Sequence, residues 1–171
     1  AFSQSTSMAP PSGIEFLVSA FNAPDAKFIH SLGVTKLKIP SHEVANIALH
    51  KFAANNFDEV YVSLGAGTTS EIYEACQIYN AVEALSWVGM HCVSSYPCGP
   101  DQANLPRLNY LSDFCQNLGY SDHTSDVVTP ALSIAYGSRV VEKHFTVDKE
   151  LPGRDNKFAL DPLEFSEMVK N

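Results

Sequence analysis

Four cysteines, one tryptophan and only 11 basic residues stand in a chain of 171, and each scarcity excludes something. Cys76, Cys92, Cys98 and Cys115 have neither CxxC spacing nor density, which argues against a zinc ribbon and against a disulfide-stapled scaffold. The expectation is a reducing compartment, with the cytoplasm as the default. Basic residues are outnumbered by 19 acidic ones, for a formal charge of -8 and a pI near 5.1. Nucleic acid and anionic membrane both select a basic, counterion-releasing surface, so neither is expected as a partner. Any anion must be held locally, by a few placed Lys, Ser and backbone N–H groups. No apolar run approaches the ~20 residues of a spanning helix. Residues 1–13 lack the basic start and apolar middle of a secretory signal and read as a tail or loop. Also missing is the Gly-rich turn of a dinucleotide-binding sheet, since Ser19-Ala-Phe-Asn-Ala-Pro24 follows the first apolar run.

What is present is a globular composition, 45% hydrophobic and 18% charged, enough for one compact domain over residues 14–171. The chain repeats a short apolar strand, a loop and an amphipathic helix. Strands are predicted at Glu15–Ser19, Lys36–Ile39, Glu59–Ser63, Ser86–His91, Leu118–Tyr120 and Arg139–Lys143. Helices are predicted at Ala26–Leu32, Ala45–Asn55, Thr69–Ala81, Arg107–Asn117 and Val127–Tyr136, with another beginning near Asp161. This alternation specifies an α/β protein with a parallel sheet. Polar residues recur at the C-terminal ends of the strands: Ser19; Lys38, Ser41 and Glu43; Ser63; His91, Ser94 and Tyr96; Ser121, Asp122 and His123; Glu142 and His144. That placement favours a (β/α)8 TIM-barrel type over an open doubly wound sheet. Eight strands take about 250 residues, so the barrel is expected to be incomplete, with about six β/α units and the first two strands missing.

Gly119-Tyr-Ser-Asp-His-Thr124 and Val140-Val-Glu-Lys-His-Phe-Thr-Val-Asp148 each set a histidine at the end of an apolar run, separated by one crossover helix that ends at Gly137. Alone, each histidine reads as a hydrogen-bonded strand-end side chain. Together, at the ends of neighbouring parallel strands, His123 and His144 can converge on one metal ion. His91 reads as supporting or structural, and His30, His42 and His50 as surface or helix-end residues.

Taken in order, Lys38-Ile-Pro-Ser-His-Glu43, Ser63-Leu-Gly-Ala66, His91-Cys-Val-Ser-Ser-Tyr-Pro97, the Ser-Asp-His and Glu-Lys-His-Phe segments, and Pro152-Gly-Arg-Asp155 resemble successive strand-end motifs of the sialic acid synthase family. That family includes N-acetylneuraminate, legionaminate and pseudaminate synthases and proteins like spore coat polysaccharide biosynthesis protein E. The resemblance implies a metal-dependent barrel that condenses phosphoenolpyruvate with an N-acetylated hexosamine to give a nine-carbon sialic-type acid and phosphate. It implies that His123 and His144 hold a divalent ion, most often Mn2+, with Mg2+ or Co2+ as alternatives. Two imidazoles with open positions suit such an ion better than a closed zinc site does. Its chemistry would be polarisation of the open-chain sugar's aldehyde.

The same resemblance implies that Ser19, Lys38, Ser41, Ser63 and Ser121 hold phosphoenolpyruvate, and that Glu43, Tyr96 and Asp155 contact the amino sugar. On chemistry alone, Lys38 also reads as a solvated strand-end lysine, and Glu43 as an acid favouring the dipole of the following helix. Arg154 stands where the family more often has Pro or Ser. The motifs of the family's first two strands and its C-terminal antifreeze-like domain are expected to be absent from this span, a homodimeric assembly is expected, and weak or no synthase activity is expected from this span alone. Two other readings stay open: a non-catalytic remnant or subunit that binds sugar phosphate or a partner chain through open sheet edges, and a related barrel aldolase acting on another acceptor.

Overall fold

The computed structural model describes residues 13–171, so the expected N-terminal tail lies outside the described residues except for Gly13. The chain divides into two compact units, one running through Val62 and again over Gly67–Trp87, the other comprising Ser63–Ala66 and Val88–Asn171.

The first unit holds β1 (Val18–Ser19), α1 (Ala23–Ser31), β2 (Lys36–Ile39), α2 (Ile47–Asn56), β3 (Glu59–Ser63, whose last residue falls in the second unit) and α3 (Thr69–Asn80). β1 and β2 pair in parallel through Val18↔Leu37 and Ser19↔Lys38, and β2 and β3 through Lys36↔Glu59 to Ile39↔Val62. β2 and β3 have the predicted bounds, whereas β1 is shorter than the predicted Glu15–Ser19 because only its last two residues pair. Helix α1 begins three residues before the predicted Ala26. Asn22 caps it by accepting from the Asp25 N–H at 2.8 Å, and Pro24 sits in the first turn, where its missing N–H costs nothing. A single 3-10 turn over Ser41–Glu43 precedes α2, which Asn46 caps.

Leu37, Ile39, Val60 and Val62 are fully buried, as expected of parallel strands covered on both faces. Lys38 is buried with them, at 7% exposure, so it is not the solvated strand-end lysine that chemistry alone allowed. Lys36, two residues earlier, keeps its ammonium near the surface, 2.5 Å from Glu15 and 2.9 Å from Glu59.

His50 corrects an expectation. It was read as a surface or helix-end residue, but it lies with Leu49, Ala53 and Ala54 on the buried face of α2. Its Nε2–H donates to the Val44 carbonyl at 2.9 Å, so Nδ1 accepts from the Tyr79 hydroxyl at 2.7 Å. Tyr79 stacks on Trp87, ring centres 5.1 Å apart, and the Trp87 Nε1–H reaches Asn80 at 3.1 Å. Burial lowers the His50 pKa below the ordinary imidazole value.

The second unit holds most of β4 (Ser86–Cys92), with α4 (Arg107–Leu111), β5 (Leu118–Asp122), α5 (Val128–Ala135), β6 (Ser138–Lys143) and α6 (Pro162–Lys170). β4 and β5 are parallel from Gly89↔Leu118 to Cys92↔Ser121, and β5 and β6 through Ser121↔Glu142 and Asp122↔Lys143. Helix α5 packs on β5, β6 and α6. Past β6 the chain returns to the same place: the Leu160 N–H donates to the His144 carbonyl at 2.9 Å, and the Thr146 N–H to the Leu160 carbonyl at 3.0 Å. Helix α6 then starts on a capping box in which Asp161 accepts from the Leu163 and Glu164 N–H groups.

Helix α4 ends six residues before the predicted Asn117, where the Ser112 hydroxyl bonds back to the Asn109 carbonyl at 2.6 Å and the chain tightens into turns. Gly65 is required by close approach, since a Cβ there would lie 2.4 Å from the Cys92 carbonyl oxygen. Among the described residues no helix is long and apolar enough to cross a membrane.

Candidate active site

The ends of β5 and β6 lie side by side in register, so Ser121 faces Glu142, Asp122 faces Lys143, and each strand delivers a histidine one residue later. The Ser121 hydroxyl donates to Glu142 Oε1 at 3.3 Å. His123 is buried, and its Nδ1 lies 2.6 Å from the Val93 carbonyl. A carbonyl only accepts, so Nδ1 carries the proton and Nε2 presents its lone pair. Burial lowers the His123 pKa, the neighbouring His144 adds in the same sense, and the Val93 bond opposes both. The ring is therefore neutral at pH 7.

The His144 ring lies edge-on to His123 with centres 5.5 Å apart. Tyr96 covers His123 at 4.1 Å and meets His144 at 5.9 Å, while Phe158 closes on His144 at 5.1 Å. Asp155 Oδ2 stands 3.6 Å from His144 Nδ1, within ion-pair reach but too far for a hydrogen bond. His123, His144, Tyr96 and Asp155 are thus brought together, and Tyr96 remains 54% exposed, at the solvent side.

Among the described residues no group of three or more His, Cys, Asp or Glu could hold a metal ion. The chain's own donor set for an ion would therefore be two imidazoles. The residues fit that role: a neutral ring with its second nitrogen held by a backbone carbonyl is the usual arrangement of a ligating histidine. Two nitrogen donors also leave the remaining positions to water and substrate.

Sequence reasoning counted Asp122 only among the polar strand-end residues and gave Lys143 no role, although each immediately precedes a candidate histidine. Their side chains are 0% and 1% exposed and form an ion pair. Asp122 also accepts from the Tyr120 hydroxyl at 2.8 Å, the Thr124 N–H at 3.0 Å and the Thr124 hydroxyl at 2.8 Å. Opposite charges at equivalent places in the two histidine motifs were the available signal.

Elsewhere in this unit Ser63 is 2% exposed and its hydroxyl has no partner among the described residues. The Arg107 guanidinium fixes the backbone just beyond it, donating to the Leu64 carbonyl at 3.1 Å. His91 donates from Nε2 to the Ala103 carbonyl at 2.8 Å and stacks on Tyr120, which suits the supporting role expected of it.

The first unit carries Ser19, Lys38, Ser41 and Glu43 at the C-terminal ends of β1 and β2 and in the 3-10 turn that follows. Ser19 and Lys38 are register partners. Glu43 accepts from the Asn46 side chain at 2.8 Å, and Asn46 in turn caps α2. Glu43 thus serves that helix through its cap, not as a residue of its first turn.

Parallel strands alternating with helices, with polar residues gathered at the strands' C-terminal ends, define a portion of a (β/α)8-type barrel. The fold is shared with the Thermotoga maritima phospho-2-dehydro-3-deoxyheptonate aldolase at only 12% identity, with a TM-score of 0.77 over 92% of this chain and 49% of that one. The chain belongs to the NeuB family, which it matches over residues 2–171. It is 36% identical to the N,N'-diacetyllegionaminic acid synthase of Legionella pneumophila over 93% of this chain and 46% of that protein. The crystal structure of the N-acetylneuraminic acid synthetase of Leptospira borgpetersenii superposes with a TM-score of 0.86 at 35% identity, covering 92% of this chain and 55% of that one. The chain spans about half the length of the curated relatives it matches.

Proposed function

We propose that the chain serves a metal-dependent condensation of phosphoenolpyruvate with an N-acetylated hexosamine, yielding a nine-carbon sialic-type acid and inorganic phosphate, in a cytoplasmic homodimer. The observation that carries this reading is the pairing of His123 and His144 at the ends of adjacent parallel strands, under Tyr96 and Phe158. Its relatives' names supply the product class, since they are sialic-acid-type synthases.

His123 through Nε2, together with His144, would hold the divalent ion, Mn2+ before Mg2+ or Co2+. When bound, the ion supplies Lewis-acid polarisation of the acceptor's aldehyde oxygen. The Val93 carbonyl keeps the His123 lone pair on Nε2, and the rings of Tyr96 and Phe158 pack against the two imidazoles. Asp155 and Tyr96, half-exposed beside the histidines, offer an acceptor and a donor to sugar hydroxyls. Glu43 is assigned the proton transfer that opening of the sugar ring needs, as a carboxylate able to take and return a hydroxyl proton.

For phosphoenolpyruvate, Lys38 contributes a buried positive charge, Ser19 and Ser41 contribute hydroxyl donors, and Ser121 contributes a hydroxyl that donates to the anion once it turns from Glu142. The Ser63 hydroxyl, buried and without a partner among the described residues, is the donor with the most to gain from an incoming phosphate or carboxylate oxygen.

Calorimetric titration of the chain with Mn2+, with and without phosphoenolpyruvate, tests this reading. Mn2+ binding that tightens with phosphoenolpyruvate and is abolished in His123→Ala supports it. No binding under either condition, or binding indifferent to His123→Ala, overturns it.

A further inference from the structure

The Asp122–Lys143 ion pair is almost fully buried, and a buried pair is weak evidence of added stability. Removing two charges from water costs several kcal/mol per ion, and buried pairs are often no more stabilising than apolar replacements. What this pair does control is local geometry. The three ammonium hydrogens of Lys143 have oxygen partners on Asp122, on the Thr124 carbonyl at 2.6 Å and on the Asp126 carbonyl at 3.2 Å. The loop from residue 122 to 126 is therefore wrapped around one cation supplied by β6. Its far end is anchored as well, because the Asp126 carboxylate accepts from the Val128 and Thr129 N–H groups at 2.8 and 2.6 Å at the start of α5.

His123 lies between Asp122 and Thr124, both held by this network, and Lys143 is the residue before His144. We infer that Asp122 and Lys143 are positioning residues whose ion pair locks β5 to β6 and holds the imidazoles of His123 and His144 in their edge-on pairing. The inference rests on the reading of the two histidines as the working site, but it concerns their geometry and is tested without a metal.

The test compares the parent chain with Asp122→Asn/Lys143→Met, which removes both charges together and leaves neither buried alone, and with Tyr120→Phe, which removes only one donor to Asp122. Histidine-resolved NMR of the metal-free protein reads the Nδ1–H tautomer of His123 and the ring-to-ring contacts of His123 with Tyr96 and His144. The His50–Tyr79 pair, with ring centres 5.6 Å apart, serves as a control in the other unit.

The double variant is expected to lose the fixed His123 tautomer and both its ring contacts while keeping those of His50. Tyr120→Phe is expected to weaken them partially and decides the matter if the double variant does not fold. Unchanged His123 signals in a folded variant overturn the inference, as does parallel loss of the His123 and His50 signals. In a second readout, Mn2+ affinity is expected to fall about 10- to 100-fold in the double variant. A parent chain that binds no Mn2+ sinks the metal reading of the site and leaves the NMR arm to decide the positioning role.

Discussion

Acidification from neutral pH is expected to destabilise the first unit, and His50 is the reason. In the folded chain both of its nitrogens are engaged, Nε2–H on the Val44 carbonyl and Nδ1 under the Tyr79 hydroxyl, and the side chain is fully buried. Desolvation is the main cause that lowers its folded pKa, opposed by the Val44 bond, a weaker Glu43 backbone bond and the Glu43 charge. A depressed histidine pKa means that the unfolded chain binds more protons as pH falls. The stabilisation from keeping His50 neutral is therefore complete above the unfolded value near 6.5 and is lost as pH drops below it toward the folded pKa.

If the folded ring stays neutral, going from about pH 7.5 to about pH 5.5 costs close to 1.4 kcal/mol for this one residue. Glu59 in the same unit has a lowered pKa, because burial, which raises it, is outweighed by the bonds from Lys36 and Tyr61 and the Lys36 charge, so its contribution is lost only in the more acidic range below the ordinary carboxylate pKa. Trp87 makes the assay specific. It is the sole tryptophan, 2% exposed and stacked on the tyrosine that donates to His50, so its emission reports unfolding of this unit. Urea titrations followed by Trp87 fluorescence at the two pH values should show the loss in the parent chain. In His50→Gln, which is less stable at both values, most of the pH dependence should disappear. A pH dependence that persists undiminished in His50→Gln refutes the reasoning.

Two further outcomes follow from contacts in the second unit. Gly65→Ala places a Cβ 2.4 Å from a backbone carbonyl oxygen that cannot swing aside. The expected cost is about 3 kcal/mol, a fall in Tm of roughly 10 °C by calorimetry, and an unchanged Tm counts against the packing described. Ser63→Ala removes a buried hydroxyl that has no partner among the described residues, so the ligand-free protein should be as stable as the parent or up to about 1 kcal/mol more so. The same variant should lose most of the enhancement of Mn2+ binding by phosphoenolpyruvate. Clear destabilisation of the ligand-free form would mean that the hydroxyl is already engaged within the fold.

The parallel fold was legible because apolar runs and their bounding loops carry it. β2 and β3 came out residue for residue, since Leu37, Ile39, Val60 and Val62 are core positions that tolerate no shift of register. Boundaries failed where something other than hydrophobicity decides them. β1 pairs only through Val18 and Ser19, α4 is cut short by hydroxyl-to-carbonyl competition at Ser112, and α1 is lengthened by the Asn22 cap.

Histidine environments were the weakest part. His50 carries a polar label but occupies a place on the same helical stripe as Leu49, Ala53 and Ala54, a spacing visible in the sequence and outweighed there by residue type. The candidate site was legible as motifs: His123 and His144 did prove to be neighbours. The Asp122–Lys143 pair was not, because it depends on which residue of β6 stands opposite which residue of β5, a register that no single segment encodes.

The four cysteines are all thiols shielded from solvent: Cys76 in the first unit, and Cys92, Cys98 and Cys115 in the second. A thiol in that condition reacts with an alkylating reagent only when its surroundings open, and burial further raises the pKa of Cys98, which suppresses its thiolate. Pulse labelling read by mass spectrometry thus turns the chain into its own stopwatch. The order in which Cys76 and the other three are modified gives the order in which the two halves breathe, with no probe added to either.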